Sequence, residues 1–237
     1  MTKLIAELCQ NHQGDFDKVK SMVSAAANSG ATHVKIQTIF ADDLTFRPQF
    51  ENGLVVDGVV KSIKRPFKDE YERLKSLELT YAQMTKFVEL SKSYNVIPMT
   101  TCFTRRHSNI INELGFEQVK VASYDCASFQ LLRELKGRYS FILVSTGATY
   151  DDEIRKAAYV LEGDNFAFLH CVTLYPTPLS EFNLARMQFL KEFCPTVGLS
   201  DHSLYARDGV FASIAAIYLG ADIIESHFTI FPQDQTK

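Results

Sequence analysis

The sequence predicts an α/β fold, a closed (βα)8 or TIM barrel, on three observations. Short β-rich runs alternate with segments of helical spacing, the β-rich runs number eight, and 237 residues is close to the usual size of one such barrel. Eight strands select the closed barrel over an open doubly wound sheet. Apolar residues make up 46% of the chain and charged residues 22%, which excludes a disordered or fibrous protein.

The first unit joins LIAELC (4–9) to a helix whose Phe16, Val19, Met22, Val23 and Ala26 share one face. That helix stops at Gly30, the residue type suited to a left-handed C-terminal position. THVKIQT (32–38) is the second strand. The connection 39–80 is far longer than an ordinary βα loop, so it is expected to be functional or partly structured. Within it, VVDGVV (55–60) is a hairpin signal, and the mixed-charge run from Lys61 to Glu78 reads as a solvated helix. A helix from about Tyr81 to Tyr94 leads to NVIPMT (95–100). EQVKVAS (117–123), YSFILVS (139–145), FAFLHCV (166–172), TVGLS (196–200) and ADIIES (221–226) follow, with helical segments between them. Gly115 and Gly220 repeat the punctuation of Gly30. Few residues follow the last strand, so residues 1–237 are expected to form a single barrel domain without its last helix, which either leaves a groove on the barrel wall or means that a C-terminal part is missing.

Lys and Arg number 25 against 28 Asp and Glu, a net charge of −3 that argues against a nucleic-acid partner. No apolar run approaches membrane-spanning length, and Glu7 interrupts the N-terminal stretch where a signal peptide stays apolar. The expectation is a cytoplasmic protein with no membrane partner. Five scattered cysteines (Cys9, Cys102, Cys126, Cys171, Cys194) without a C-x-x-C pair read as reduced thiols, with packing the expected role of Cys102 and Cys171. No G-x-S-x-G, P-loop or G-x-G-x-x-G motif is present, so hydrolase, NTPase and dinucleotide readings have no support.

Barrel active sites form where the strands end, and polar residues close nearly every strand here. Strand alternation puts Lys35 with Gln37, Ser200 with His202, and Glu225 with His227 on one face each. Two histidines from adjacent strand ends, His202 and His227, can chelate one divalent ion, with Mn²⁺, Mg²⁺, Fe²⁺ and Zn²⁺ all suited; the alternative is a hydrogen-bonded pair of barrel histidines. Lys35 and Lys120 interrupt apolar strands and require an anion. With the hydroxyls of Thr101, Ser123, Ser145 and Ser200 they make a donor set suited to a phosphate plus a second acid group, the alternative being an internal ion network with an acid such as Glu7. Ser145-Thr146-Gly147-Ala148 is expected to open a helix and offer backbone N–H groups to the same anion. His170 lies in the sixth strand, and Tyr175, in a loop held by two prolines, presents a hydroxyl towards the rim. His12 either bonds a ligand or orders its turn; His33 and His107 are expected at the surface or as caps.

These residues resemble the sialic acid synthases, meaning N-acetylneuraminate synthase and its legionaminate and pseudaminate relatives. The resemblance runs through IAELCQNHQGD, GATHVKIQT, VKVAS, VSTGA, LHCVTLYPTP, VGLSDHS and LGADIIESHFTI, in the family's order and over nearly the whole chain. SDH followed by E-x-HFT is the specific part. The resemblance implies a transferase of carbohydrate biosynthesis, making precursors of cell-surface polysaccharide. Such an enzyme condenses phosphoenolpyruvate with an N-acetylated hexosamine aldehyde, either N-acetylmannosamine or a 2,4-diacetamido-6-deoxyhexose, to a nine-carbon 2-keto acid plus phosphate. It further implies His202 and His227 as ligands of Mn²⁺, for which Mg²⁺ or Co²⁺ could substitute. Lys35, Thr101, Lys120, Ser123, Ser145 and Ser200 would hold phosphoenolpyruvate, Glu7 would stand beside the reacting carbons, and Tyr175, Asp125 and Gln37 would meet the sugar.

The family also implies a homodimer whose antifreeze-like C-terminal domain lends an arginine to the partner's sugar site, a domain that this sequence is expected to lack. Tyr124-Asp125 stands where many members carry Gly-Glu, which bears on sugar choice. Two other readings are a related phosphoenolpyruvate-using sugar-phosphate synthase, which requires a second phosphate site, and a catalytically silent or partner-dependent barrel that binds an acidic sugar.

Overall fold

A computed structural model describes residues 2–231. Its strands are β1 (Lys3–Cys9), β2 (His33–Thr38), β3 (Leu54–Val56), β4 (Val59–Ser62), β5 (Ile97–Cys102), β6 (Gln118–Val121), β7 (Phe141–Ser145), β8 (Phe166–His170), β9 (Val197–Asp201) and β10 (Ile223–His227). Eight of them close a barrel in the order β1-β10-β9-β8-β7-β6-β5-β2, every pair parallel. The expected (βα)8 architecture is therefore the observed one. The stretch in which a closing helix was expected to be missing, 232–237, lies outside the described residues.

Alternation along the strands builds two cores. Side chains that point outward pack under the helices, for example Val34, Ile36, Val119, Val121, Ile142 and Val144. Those that point inward form a separate plug of Ile5, Met99, Phe141, Leu143, Ala167, Leu169 and Ile223. This is the layered filling of a barrel rather than a pore. Gly198 belongs to the inner wall, where a Cβ would come within 2.2 Å of the Ile223 carbonyl oxygen and 2.6 Å of Leu169.

The first helix spans Phe16–Asn28, buries Val19, Met22, Val23 and Ala26, and is capped by the Asp15 side chain. Gly30 follows it at φ +87°, as Gly115 and Gly220 do after their helices at +96° and +89°. The 39–80 connection is structured. β3 and β4 form an antiparallel hairpin turned by Asp57 and Gly58, both at positive φ, the geometry that Asp-Gly favours. The mixed-charge run is only partly the expected helix: residues 59–62 complete the hairpin, and the helix runs over Phe67–Leu77 with Leu74 buried. Among the described residues no helix is long and apolar enough to cross a membrane, and all five cysteines are buried.

Candidate active site

Residues facing one another across a parallel pair share a face, so the register shows what meets above the plug. Glu7 pairs with Lys35 on one side and His227 on the other. Gln37 pairs with Thr101, Thr101 with Lys120, and Ser200 with Glu225. All of these converge on the C-terminal mouth of the barrel.

Lys35 is fully buried, and its ammonium touches the Glu7 carboxylate, donates to Thr101 Oγ1 at 3.0 Å and lies 3.5 Å from Glu225 Oε2. The Lys120 ammonium contacts Glu225 Oε1, which also accepts from Ser200 Oγ at 2.7 Å. Glu7 accepts in turn from the Cys9 N–H at 2.7 Å. Burial pushes the Lys35 pKa down against the pull of Glu225. Burial also opposes ionisation of Glu225, but Lys120, Lys35 and the Ser200 hydrogen bond outweigh it and hold the carboxyl below the usual carboxylate range.

In this structure the two lysines thus find their anions within the protein, Glu7 and Glu225. Glu225 is the site member that sequence reasoning undervalued, although its period-two relation to His227 was the available signal. The internal network does not consume every donor. Ser145 Oγ is buried at the same mouth without a hydrogen-bond partner, which leaves a hydroxyl for an external ligand.

Ser123 stands just outside this network, half-buried, 2.9 Å from Cys171 Sγ and accepting from the Gly147 N–H at 3.1 Å. Gly147 allows that approach, since a Cβ there would meet Cys171 Sγ at 2.7 Å and Ser123 Oγ at 3.0 Å. The expectation that Ser145–Ala148 opens a helix is corrected. The helix begins at Asp151, with the Tyr150 N–H bonded to Glu153, and the Thr146 and Gly147 N–H groups are already committed to Leu169 O and Ser123 Oγ.

On the opposite side of the mouth, His202 Nδ1 lies 2.7 Å from the Val172 carbonyl oxygen, which can only accept. The proton therefore sits on Nδ1, and Nε2 accepts from the Tyr175 hydroxyl at 2.9 Å, with Ser200 Oγ, whose proton goes to Glu225, 3.2 Å away. The Tyr175 ring stacks on His202 with centroids 4.0 Å apart. The His202 and His227 rings are 5.9 Å apart and tilted by 59°.

His227 stands at the open end of β10, where solvent reaches it. The crowded mouth and the neighbouring His202 lower its pKa from the ordinary imidazole value, and desolvation lowers that of His202 too. Both imidazoles are neutral at pH 7, the form that binds metals. Among the described residues no three His, Cys, Asp or Glu side chains surround a common point, so an ion held here would take its remaining ligands from water or substrate. Within that limit the donor set fits a divalent ion: His202 Nε2 is aimed into the mouth, and its tautomer is set by a backbone carbonyl.

Of the residues expected at a sugar, Tyr175 is half-exposed above His202, and Gln37 is partly buried with its register position facing inward. Asp125 is not in the ion network. It is buried, accepts from Ser128 Oγ at 3.2 Å with Oδ1, has no partner for Oδ2, and is pushed up to about 6 by desolvation. It lines two cavities, of about 720 and 490 Å³, on the side of the mouth formed by β2, β5 and β6.

The remaining histidines are structural. His12 Nδ1 accepts from the Gly14 N–H at 3.1 Å and so orders its turn. His33 and His107, expected at the surface or as caps, are both buried, and His107 does stand at the N-cap position of the helix Ser108–Glu113, without a side-chain capping bond. His33 bonds Thr32 at 2.8 Å, and His107 bonds Asp43 at 2.5 Å while packing beside Phe40 and Tyr81. His170 bonds the Phe182 carbonyl at 2.5 Å.

Comparison with known proteins bears on the family and the fold. The NeuB family model matches residues 22–236. An N,N'-diacetyllegionaminic acid synthase of Campylobacter jejuni is 32% identical over 243 residues, a match covering 97% of this chain and 68% of that protein. An uncharacterized protein of Methanocaldococcus jannaschii is 31% identical, with 97% of this chain and 62% of its own length covered. The chain thus spans roughly two thirds of the length of these relatives. Among solved structures, N-acetylneuraminic acid synthetase of Leptospira borgpetersenii superposes with a TM-score of 0.83 at 27% identity, covering 97% of this chain and 74% of that one.

Proposed function

The chain belongs to the NeuB family, and on that premise we propose that it condenses phosphoenolpyruvate with an N-acetylated hexosamine aldehyde to a nine-carbon 2-keto acid and phosphate. The observation that carries the reading is the mouth itself: two buried lysines and a set of hydroxyls beside a pair of neutral histidines, on either side of Glu225.

Lys35, Lys120, Thr101, Ser145 and Ser200 would hold the phosphate, with the spare Ser145 hydroxyl supplying a bond that the protein leaves unmade. Ser123, anchored on Gly147, would set the depth of the same substrate. His202 and His227 would hold a divalent ion, most simply Mn²⁺, which when bound supplies Lewis acidity to the aldehyde oxygen. Tyr175, stacked on His202, and Gln37 would orient the open-chain sugar so that its aldehyde carbon faces C3 of phosphoenolpyruvate.

The bond C3–C1 forms as the enol ether electrons move, leaving positive charge at C2. Glu7, whose carboxylate faces the mouth beside Lys35, would steady that charge and orient the water that adds to C2. One proton of that water passes to the alkoxide left by the aldehyde oxygen and the other to the phosphate as the C2–O bond to it breaks, and the ketone remains. The lysines stabilise the departing phosphate dianion throughout.

Phosphate release from phosphoenolpyruvate in the presence of Mn²⁺, measured with and without N-acetylmannosamine or a 2,4-diacetamido-6-deoxyhexose, tests the proposal. Sugar-dependent release is expected. Release that ignores the sugar, or none with any acceptor, would overturn it.

A further inference from the structure

The two histidines of the mouth are not in the same state. Among the described residues the His227 ring makes no hydrogen bond. His202 is engaged on both nitrogens: Nδ1 donates to the Val172 carbonyl oxygen at 2.7 Å, and Nε2, the nitrogen aimed into the mouth, accepts from the Tyr175 hydroxyl at 2.9 Å. Ser200 Oγ is near the same nitrogen, but its proton goes to Glu225, so Tyr175 is the donor. A neutral imidazole has one acceptor nitrogen, and its single lone pair cannot hold this proton and bind a cation at the same time.

The Tyr175 ring lies over both imidazoles, stacked on His202 at 4.0 Å and edge-on to His227 at 6.0 Å and 86°. Its hydroxyl has no other partner among the described residues. The loop that carries it is fixed at Thr177, which is fully buried: the Thr177 N–H donates to the His202 carbonyl oxygen at 2.8 Å and its hydroxyl to the Leu174 carbonyl oxygen at 2.7 Å. Tyr175 itself is 51% exposed. Its hydroxyl can therefore leave His202 by a side-chain rotation, with the backbone of the loop staying in place.

We infer that Tyr175 is a positioning residue that couples the divalent ion to the acceptor: its hydroxyl caps His202 Nε2 until an ion takes that nitrogen, and only then turns to the acceptor. The inference rests on the condensation proposed above. Two consequences follow from one hydrogen bond. The ion binds more weakly than the histidine pair alone would allow, because it must displace a donor. The acceptor gains the Tyr175 hydroxyl only after the ion is in place, so each ligand favours the other, and by linkage the effect is reciprocal. An aldehyde is thus held where the Lewis acid that polarises it has already bound.

Tyr175→Phe keeps the stacked ring and deletes the hydroxyl. Calorimetric titration of Mn²⁺ alone into the full chain should show binding about 5- to 10-fold tighter in the variant, the worth of one ordinary hydrogen bond, with the circular dichroism spectrum unchanged. The chain has ten Tyr and no Trp, so its near-ultraviolet absorbance is dominated by tyrosine. Adding Mn²⁺ to the parent should blue-shift a single tyrosine as its hydroxyl loses its acceptor, and the variant should lack that difference band. With phosphoenolpyruvate present, Mn²⁺ should tighten N-acetylmannosamine binding in the parent, and Tyr175→Phe should shrink that coupling by about 5-fold. Equal Mn²⁺ affinity in the two chains would overturn the inference, since the hydroxyl would then be no obstacle. Weaker binding by the variant would overturn it as well, making the hydroxyl a ligand. In either case sugar-dependent phosphate release by the parent leaves the condensation standing. Binding by the variant alone would support the inference in its strongest form, and no binding by either chain would remove the histidine pair as a metal site and the inference with it.

Discussion

Replacing Lys35 by Met keeps most of the aliphatic stem but removes a cation buried between two carboxylates. In the intact protein Glu7 touches the ammonium and Glu225 lies 3.5 Å away, with 1% of the lysine side chain exposed. Burying the three charges offsets much of their mutual attraction, so the network as a whole contributes little to stability. Breaking it is different, because Glu7 would keep only the Cys9 N–H and Glu225 only Lys120 and Ser200. Removal of one partner of a buried pair costs about 3–5 kcal/mol. For a domain of this size each kcal/mol moves the melting temperature by about 2–4 °C, so Lys35→Met should melt about 6–20 °C below the parent.

Urea and thermal unfolding followed by circular dichroism at pH 7 measure the loss. The double variant Lys35→Met/Glu7→Gln removes the stranded charge as well and should recover more than half of it, with a coupling energy of about 2 kcal/mol or more. A single variant within about 2 °C of the parent, or a double variant no better than the sum of the singles, would refute the claim that this ion cluster is desolvated and mutually dependent.

His227→Ala, at the open end of β10, should abolish calorimetric binding of Mn²⁺ and cut any sugar-dependent phosphate release by about 100-fold or more with an unchanged circular dichroism spectrum; retained metal binding would remove the residue from the ligand set. Ser145→Ala deletes a buried hydroxyl that bonds nothing in the protein, so stability should stay level or rise by up to about 1 kcal/mol. The same variant should weaken phosphoenolpyruvate about 10-fold by calorimetry, about 1.4 kcal/mol, and an unchanged affinity would exclude the hydroxyl from the phosphate site.

Burial lowers the pKa of both His12 and His33 from 6.5 to about 4. Between those values the unfolded chain binds more protons, so stability is complete above 6.5 and is lost as the pH falls towards 4. Going from pH 7 to pH 5 should cost about 2 kcal/mol per histidine in urea titrations. A flat profile over that interval would show that neither ring is buried neutral.

Much of the barrel was legible in the sequence because its signals are local. Strand boundaries followed apolar runs, Gly30, Gly115 and Gly220 marked helix ends, and Asp57-Gly58 marked the hairpin. Alternation alone put Lys35 with Gln37, Ser200 with His202, and Glu225 with His227 on one face each, and the register brings these faces to the mouth. Local signals failed where burial depends on distant neighbours. His33 and His107 read as surface or capping residues, yet both are buried, and His107 is covered by Phe40 and Asp43, which the 39–80 connection folds back over the barrel. The helix after Ser145 starts later than its glycine suggests, because Ser123 and Leu169 already hold the N–H groups.

The sequence by itself determined which side chains enter the barrel, since that follows from a two-residue period along each strand. Only closure of the sheet decided which of them meet. Pairing β1 with β10 brings Glu7 beside His227, and the curvature of the closed wall carries Lys120 across to Glu225, 105 residues away. In so narrow a space, sealed below by its own apolar plug, two lysines must be neutralised by the acids that face them, and no local pattern names those partners.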